Sequence, residues 1–228
     1  MYSDIRGAMR YRSSLFAFLL SMAANAQLRH GPRLGLAMGT ITGGQFLQWS
    51  GLPKFGPIAG WSFEVPIKRQ VFLRLAPMLM SKGAWSRNST LKTDTYVTHR
   101  YIELPMLAPL DLQPGEGGFF LTGGFIYGYW IYGRVRTLTD GQETFDLKLD
   151  LSQPEVNHSQ WSVAIGLGQQ AKRWSWELRG QSSITPFDKL QRSHYTVYGL
   201  HLTYRLPLHE KKEKEEKERK NQREELSP

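Results

Sequence analysis

The stretch Tyr96-Val97-Thr98-His99-Arg100-Tyr101-Ile102-Glu103-Leu104-Pro105-Met106-Leu107-Ala108-Pro109 decides the fold of this chain. Its length, its aromatic and branched residues and the turn-forming residues on either side predict one long β-strand. Side chains alternate between the faces of a strand, so Ile102, Leu104 and Met106 share one face, opposite Glu103. An unpaired carboxylate in an apolar interior costs several kcal/mol. The rest of the chain should therefore supply charged partners for Glu103.

This strand also carries a family resemblance. Tyr101-Ile102-Glu103-Leu104-Pro105, preceded by Phe72-Leu73-Arg74-Leu75-Ala76-Pro77, resembles the PorT-like family of small outer-membrane β-barrels from Bacteroidetes-type bacteria. The resemblance covers roughly residues 30 to 207 and includes the order of the glycine-rich and aromatic strands. It implies a β-barrel in an outer membrane and an accessory role in protein secretion across that membrane.

Composition argues against several classes of function. The chain of 228 residues has no cysteine, so it has no disulfide scaffold, thiolate metal site or cysteine nucleophile. Its formal net charge of +9 is scattered along strands and loops, and no zinc-finger, helix-turn-helix or ribonucleoprotein-type motif is present, so we expect no nucleic-acid partner. No His-Glu-x-x-His spacing occurs, and the sequence predicts neither a metal site nor a cofactor.

The N-terminus has the character of an export signal. A basic segment precedes the apolar run 15–23, which ends in Ala24-Asn25-Ala26. This pattern predicts a cleaved secretory signal peptide over residues 1–26, with Met1 or Met9 as the start. The run is too short to span a membrane as a helix, which needs about 20 apolar residues.

The C-terminus is dense in charge. Residues 209–228 consist mostly of Lys, Arg, Glu and Gln, with several acidic residues four positions before a basic one. No apolar stripe runs through this segment, so we expect a charged periplasmic tail that is helical or disordered. The predicted barrel domain lies between the two ends, over residues 27–208.

Runs of period two predict strands long enough to cross a bilayer. The eight predicted strands cover residues 33–45, 56–66, 70–82, 96–109, 117–136, 159–170, 173–183 and 195–207. A tilted transmembrane strand needs about 9 to 11 residues, whereas globular strands average about five or six. The connections alternate between short (67–69, 110–116, 171–172) and long (46–55, 83–95, 137–158, 184–194). This alternation is typical of outer-membrane barrels, which have short periplasmic turns, long outer loops and both termini in the periplasm.

The longest of these loops contains a hairpin signal. The tight turn Thr139-Asp140-Gly141 is followed by strict alternation over residues 145–151. We expect a hairpin that prolongs two strands above the membrane and is broken at Pro154. A count of ten strands, with 144–151 crossing the membrane, is the alternative, although three charges on one face disfavour it.

The two faces of the predicted strands differ in side-chain size. Large apolar residues share one face of strand 159–170, opposite Ser and Gly, and strands 173–183 and 195–207 repeat the pattern. The interior of an eight-stranded barrel is only just wide enough to be filled by side chains, so the bulky faces should contact lipid. The predicted fold is therefore an all-β, eight-stranded antiparallel transmembrane β-barrel with a side-chain-filled lumen, in a bacterial outer membrane. A soluble lipocalin-like barrel, with its large residues inside, is the alternative.

The tryptophans fit interfacial girdles at the two rims of such a barrel. Those predicted beside the long loops are Trp49, Trp61, Trp85, Trp130 and Trp161, and those predicted beside a short turn are Trp174 and Trp176.

The same alternation places seven titratable side chains in the lumen. They are Glu64, Arg74, Glu103, Glu177, Arg179, His201 and Arg205. In a narrow lumen these groups must pair, and guanidinium and carboxylate groups can do so with two hydrogen bonds. We expect an ion-pair network that fills and closes the barrel; a gated ion or proton path is the alternative.

The predicted function is non-catalytic, with outer-membrane lipid as one partner and a protein bound through the outer loops or the periplasmic tail as another. One alternative is a small-solute or ion pore. A second is a rim-active hydrolase that would use Ser193-His194, His99 or His158-Ser159 as base and nucleophile, although their spacing is not diagnostic.

Overall fold

The computed structural model describes residues 28–43, 52–113, 118–190 and 192–206. The strands are β1 (Arg29–Thr42), β2 (Leu52–Lys68), β3 (Val71–Leu75), β4 (Met78–Asn88), β5 (Thr93–Asp111), β6 (Phe119–Thr139), β7 (Gln142–Lys148), β8 (Ser159–Gln170), β9 (Trp174–Ser183) and β10 (His194–Tyr204). None of the described residues belongs to a helix that is long and apolar enough to cross a membrane. The predicted signal peptide, the predicted tail at 209–228 and Trp49 lie outside the described residues.

The strands close into a ring. Each strand is antiparallel to the strands with which it pairs. The ring is closed by β1 and β10, which pair from Arg33 opposite Thr203 to Thr42 opposite His194. Strands β3 and β4 are two parts of one barrel strand, since both pair with β2 and with β5. The strand is interrupted between them at Ala76-Pro77, because proline has no N–H to donate to the ladder. The predicted eight-stranded antiparallel barrel is therefore confirmed.

The two faces of the wall differ as the sequence predicted. Large apolar side chains on the outer face are exposed, including Leu178, Leu200 and Ile165, whereas their neighbours Glu177, His201 and Ala164 are buried inside. The outer face suits hydrocarbon, and the inner face carries the charges. A soluble barrel with its large residues in a cavity does not fit this arrangement.

Two of the tryptophans differ from the predicted girdle. Trp130 lies inside the lumen, 3% exposed, because it shares its face of β6 with Phe120 and Ile126. Trp61 pairs with Pro32 near the start of β1, and its Nε1 donates a hydrogen bond to His30 Nδ1 at 3.4 Å. Trp61 therefore lies toward the rim that carries residues 28 and 206, not beside a long loop.

The prediction of a loop at 83–95 is wrong, because strands β4 and β5 extend through most of this segment. They pair up to Asn88 and Thr93, and only residues 89–92 form the turn. Thr93, Thr95 and Val97 favour extended backbone. Arg87 also donates two hydrogen bonds to Asp94 across the strands, from Nε to Oδ1 at 2.8 Å and from Nη2 to Oδ2 at 3.1 Å.

The predicted hairpin after β6 is confirmed. Asp140 (φ 50°) and Gly141 (φ 80°) form its turn, and both positive angles are those of a tight hairpin turn. Strand β7 pairs with β6 alone among the described strands, so the ten-strand alternative is wrong. The alternation does not continue to residue 151 as strand, because Leu149 and Leu151 turn back onto the buried cluster inside the barrel.

Together these hairpins extend the wall beyond the ring. We call the outer parts of β4, β5 and β6 (83–88, 93–99 and 133–139), together with β7, the projecting sheet. Strand β6 leaves its partner β8 after Tyr129, and the ten residues from there to Thr139 extend for roughly 30 Å. The projecting sheet lies at the opposite end of the barrel from residues 28 and 206.

Candidate functional site

The part of the lumen toward residues 28 and 206 is built around one carboxylate, that of Glu177 on β9. Its Oε2 accepts hydrogen bonds from Arg33 Nη2 at 2.7 Å and Arg74 Nη1 at 2.6 Å. Its Oε1 accepts from Arg179 Nε at 2.8 Å and Thr122 Oγ1 at 3.0 Å. All of these residues are buried, so every hydrogen bond lies in a water-poor interior.

Glycine on the neighbouring strand provides the space for this carboxylate. A Cβ atom at Gly166 would lie 2.7 Å from Thr122 Oγ1 and 3.0 Å from Glu177 Oε1. Gly166 lies opposite both Thr122 and Arg179 in the ladders of β8. The inward face of β8 carries small residues, and this leaves room in the lumen for the ionic side chains of the neighbouring strand β9.

A second carboxylate, that of Glu64 on β2, extends the network. Glu64 lies directly opposite Arg74 in the ladder, and Arg74 Nε donates to its Oε1 at 2.7 Å. Arg205 Nε lies 3.5 Å from Glu64 Oε2, and Arg205 Nη2 donates to Gln170 Oε1 at 2.9 Å. Arg74 thus bridges both carboxylates. We call Arg33, Glu64, Arg74, Glu177, Arg179, His201 and Arg205 the ionic layer.

Positive charge is in excess in the ionic layer. Its four guanidinium groups face two carboxylates, and Nη1 of Arg179 has no hydrogen-bonding partner among the described protein atoms. Arg33 Nε donates to His201 Nδ1 at 3.2 Å, which requires a neutral imidazole with its proton on Nε2. A neutral His201 avoids adding a further positive charge to this layer.

Glu103 lies apart from the other six predicted residues, in a second layer. Its partner is the Lys82 ammonium, and Gln181 Nε2 donates to Glu103 Oε1 at 3.3 Å. The Lys82 Nζ atom also lies 4.4 Å from the centre of the Tyr101 ring. The predicted single network is therefore two networks, because Arg74 lies opposite Leu107 of β5 and Glu103 lies opposite Met78.

Sequence reasoning missed two cations in the lumen, Arg33 and Lys82. Both could have been found by alternation. Lys82 has the same parity as Arg74 along the third barrel strand, and Arg33 alternates with the exposed Leu34. Each provides the ammonium or guanidinium that a buried carboxylate needs.

Aromatic side chains and two loop segments cover the outer end of the lumen. Trp130, Tyr195 and Phe187 are buried there, and the Tyr195 hydroxyl hydrogen-bonds Nδ1 of His99. Three partly buried residues from segment 149–158 pack against this cluster, namely Leu149, Leu151 and Val156. Segment 149–158 is held by hydrogen bonds to 186–189, including Asn157 N to Phe187 O at 3.0 Å. The described residues thus close the barrel at its outer end.

The serines and histidines considered for a rim hydrolase contact other groups in the part of the chain that the structure describes. The ring nitrogens of His158 lie 3.3 Å from Trp130 O and 2.8 Å from Leu151 O, and His194 Nδ1 lies 3.1 Å from Ser183 O. Ser159 Oγ pairs with the Tyr127 hydroxyl at 3.0 Å, and Ser193 is buried. Within the described ranges, no hydrogen bond joins one of these serines to one of these histidines, and no three His, Asp or Glu residues form a metal-binding group.

A closed antiparallel barrel with an apolar outside and a charged, filled inside defines a small outer-membrane β-barrel protein. A family model described as "Outer membrane protein beta-barrel domain" matches residues 22–189, and the chain belongs to that family. The outer membrane is therefore its location. No curated protein matches the chain at a significant level.

Solved structures of small barrels are similar to this chain at low identity. Ail, the attachment invasion locus protein of Yersinia pestis, solved in complex with the heparin analogue sucrose octasulfate, is 11% identical, with 79% of this chain and 99% of that chain covered and a TM-score of 0.44. Neisserial surface protein A is also 11% identical, with 77% and 96% covered and a TM-score of 0.43. The N-terminal β-barrel domain of Pseudomonas aeruginosa OprF is 8% identical, with 76% and 97% covered and a TM-score of 0.28.

Proposed function

We propose that this barrel is a non-catalytic membrane anchor that presents the projecting sheet to a protein partner. Following the resemblance to PorT-like proteins, we propose further that the partner belongs to protein secretion across the outer membrane. The predicted tail at 209–228 is a second candidate contact for a partner, on the periplasmic side. The proposal rests on one edge of β7, which no other described strand pairs with.

Strand β7 has the features of a binding edge. It pairs on one side with β6, and no other described strand pairs with it. All seven of its residues are exposed, including Phe145 at 49% and Leu147 at 47%. An extended segment of another protein can add to such an edge through main-chain hydrogen bonds, while the apolar side chains supply specificity.

Site-specific crosslinking tests this proposal. A photoreactive phenylalanine analogue at position 145 should yield a discrete crosslinked protein in whole cells, and a Leu147→Lys change should reduce its yield about tenfold by disturbing the apolar contact. The matched control is Leu91→Lys, since Leu91 is 65% exposed in the turn between β4 and β5. Equal yields in both variants would contradict binding at β7. A chain without residues 209–228 separates the tail from the sheet, because unchanged recovery of the partner would exclude the tail.

The filled lumen argues against the pore alternative. The ionic layer, the Lys82–Glu103 pair and the aromatic cluster occupy successive levels of an eight-stranded ring. We expect no discrete current steps when the purified protein is inserted in planar bilayers. Reproducible single-channel openings would instead support a pore.

A further inference from the structure

We propose that the outer face of the projecting sheet, where it meets the membrane, binds the phosphate groups of an anionic membrane lipid. The proposed site consists of Lys54, Arg100, Arg134, Arg136 and Lys148, which we call the basic patch. It faces away from the lumen, and it lies on the other side of the sheet from the Leu147 side chain that we propose for protein binding.

The ladders place these cations in adjacent rows. Thr98 on β5 lies opposite both Gly83 and Arg134, and Arg134 lies opposite Lys148 on β7. Arg100 lies in the row nearer the membrane, opposite Tyr132, and Arg136 lies in the row farther from it, opposite Tyr96. Successive rows on one face are about 7 Å apart, so the patch spans about 14 Å along the strands.

Lys54 reaches this face from the neighbouring strand. Its Nζ donates a hydrogen bond to Thr98 Oγ1, and its side chain passes over Gly83, where an added Cβ would lie 3.2 Å from Lys54 Cδ. The absence of a side chain at Gly83 leaves room for this path. The ammonium is thereby held near Arg100 and Arg136, whose positive charges repel it.

The patch holds more positive charge than its own carboxylates neutralise. Arg134 is paired with Asp146, and Arg136 is paired with Glu143. The Arg134 guanidinium keeps the pKa of Asp146 below its ordinary value, so this pair stays ionised at neutral pH. Arg100 stacks on the Tyr132 ring at 4.9 Å, and within the described part of the chain no carboxylate forms an ion pair with Arg100 or Lys54. Five cations against two carboxylates favour an anion.

The position of the patch identifies the anion as a lipid headgroup. The next row toward the end that carries residues 28 and 206 contains Leu79, Ile102 and Tyr129, which are 55%, 49% and 44% exposed on the lipid-facing wall. The cations therefore begin one row beyond the last apolar row, at the depth of headgroups. Trp85 and Tyr96 lie in the same row as Arg136 and are stacked at 6.0 Å, as expected of an interfacial aromatic pair. Charged lipid phosphates attract basic side chains at this depth.

The proposal is tested with the full chain in nanodiscs of phosphatidylcholine that contain a minor fraction of phosphatidic acid. Native mass spectrometry should show phosphatidic acid retained above its share of the bilayer. Removing two charges in Lys54→Gln with Arg100→Gln should weaken this retention about 10- to 30-fold. The variant Lys54→Arg with Arg100→Lys keeps both charges and should retain the lipid within about twofold.

The matched control removes the same charge from elsewhere on the outer side. Lys92 pairs with Asp140 in an exposed turn, and Lys189 Nζ donates to Pro154 O in a loop. Lys92→Gln with Lys189→Gln should leave retention unchanged, and each variant is first checked for heat-modifiable migration on a gel. Equal loss in the control, or undiminished retention after Lys54→Gln with Arg100→Gln, would overturn the site. Displacement of the lipid by millimolar inorganic phosphate alone would show a free-phosphate site and would overturn the lipid assignment.

Discussion

Replacing Glu177 with glutamine is expected to destabilise the folded barrel by about 3 to 5 kcal/mol, because it breaks a buried ion-pair network by removing one partner. Glu177 accepts hydrogen bonds from Arg33, Arg74 and Arg179. Its loss leaves four buried guanidinium groups in the ionic layer with Glu64 as their one carboxylate. The measurement is the free energy of unfolding in urea, followed by tryptophan fluorescence in lipid vesicles.

The control for Glu177→Gln is Glu143→Gln, which removes one carboxylate from an ion pair at the surface. The Glu143 side chain is 37% exposed and pairs with Arg136 in the projecting sheet. Exposed pairs contribute about 0 to 1 kcal/mol, so the variant should unfold close to the original midpoint. Similar losses in both variants would contradict the role that we assign to the ionic layer.

Replacing Leu200 with arginine is expected to be the second large effect. Leu200 lies opposite Leu36 and Leu178 in the middle of the outer face, and it is 48% exposed. A cation on the lipid face at the bilayer midplane costs about 2 to 4 kcal/mol. Urea unfolding in vesicles should show this loss. The same change at Leu190, which is 77% exposed in the loop before β10, should alter stability by less than about 0.5 kcal/mol.

Alternation in the sequence was sufficient to predict which side chains of the barrel wall face outward and which face inward. Ile102 and Leu104 face outward and Glu103 faces inward, as period two requires. The hairpin at Asp140-Gly141 was also accessible, because its turn chemistry is local. The interval 83–95 could not be predicted as strand, because its Gly, Ser and Asn residues suit a loop. Cross-strand pairs such as Arg87–Asp94 hold it in strands.

Partners within the lumen could not be derived from alternation. Parity shows which side chains point inward, but the stagger between strands sets the level that each one reaches. Glu103 lies four residues from Leu107, the residue opposite Arg74, so about 13 Å of strand separates Glu103 from the row of Arg74. Trp130 was predicted at the membrane interface because it lies near a strand end. Its parity on β6 instead places its side chain inside the lumen.

A transmembrane barrel requires its outer face to be in contact with lipid. The chain contains no cysteine, so a single cysteine at Leu200 or Ile165 can carry a nitroxide label without other changes. In vesicles, electron paramagnetic resonance should show that oxygen collides readily with labels at these two sites, while a water-soluble nickel chelate reaches only a control label at Leu190. Ready collision of the chelate with labels at Leu200 and Ile165 would show that this face is in water, and it would contradict the transmembrane barrel.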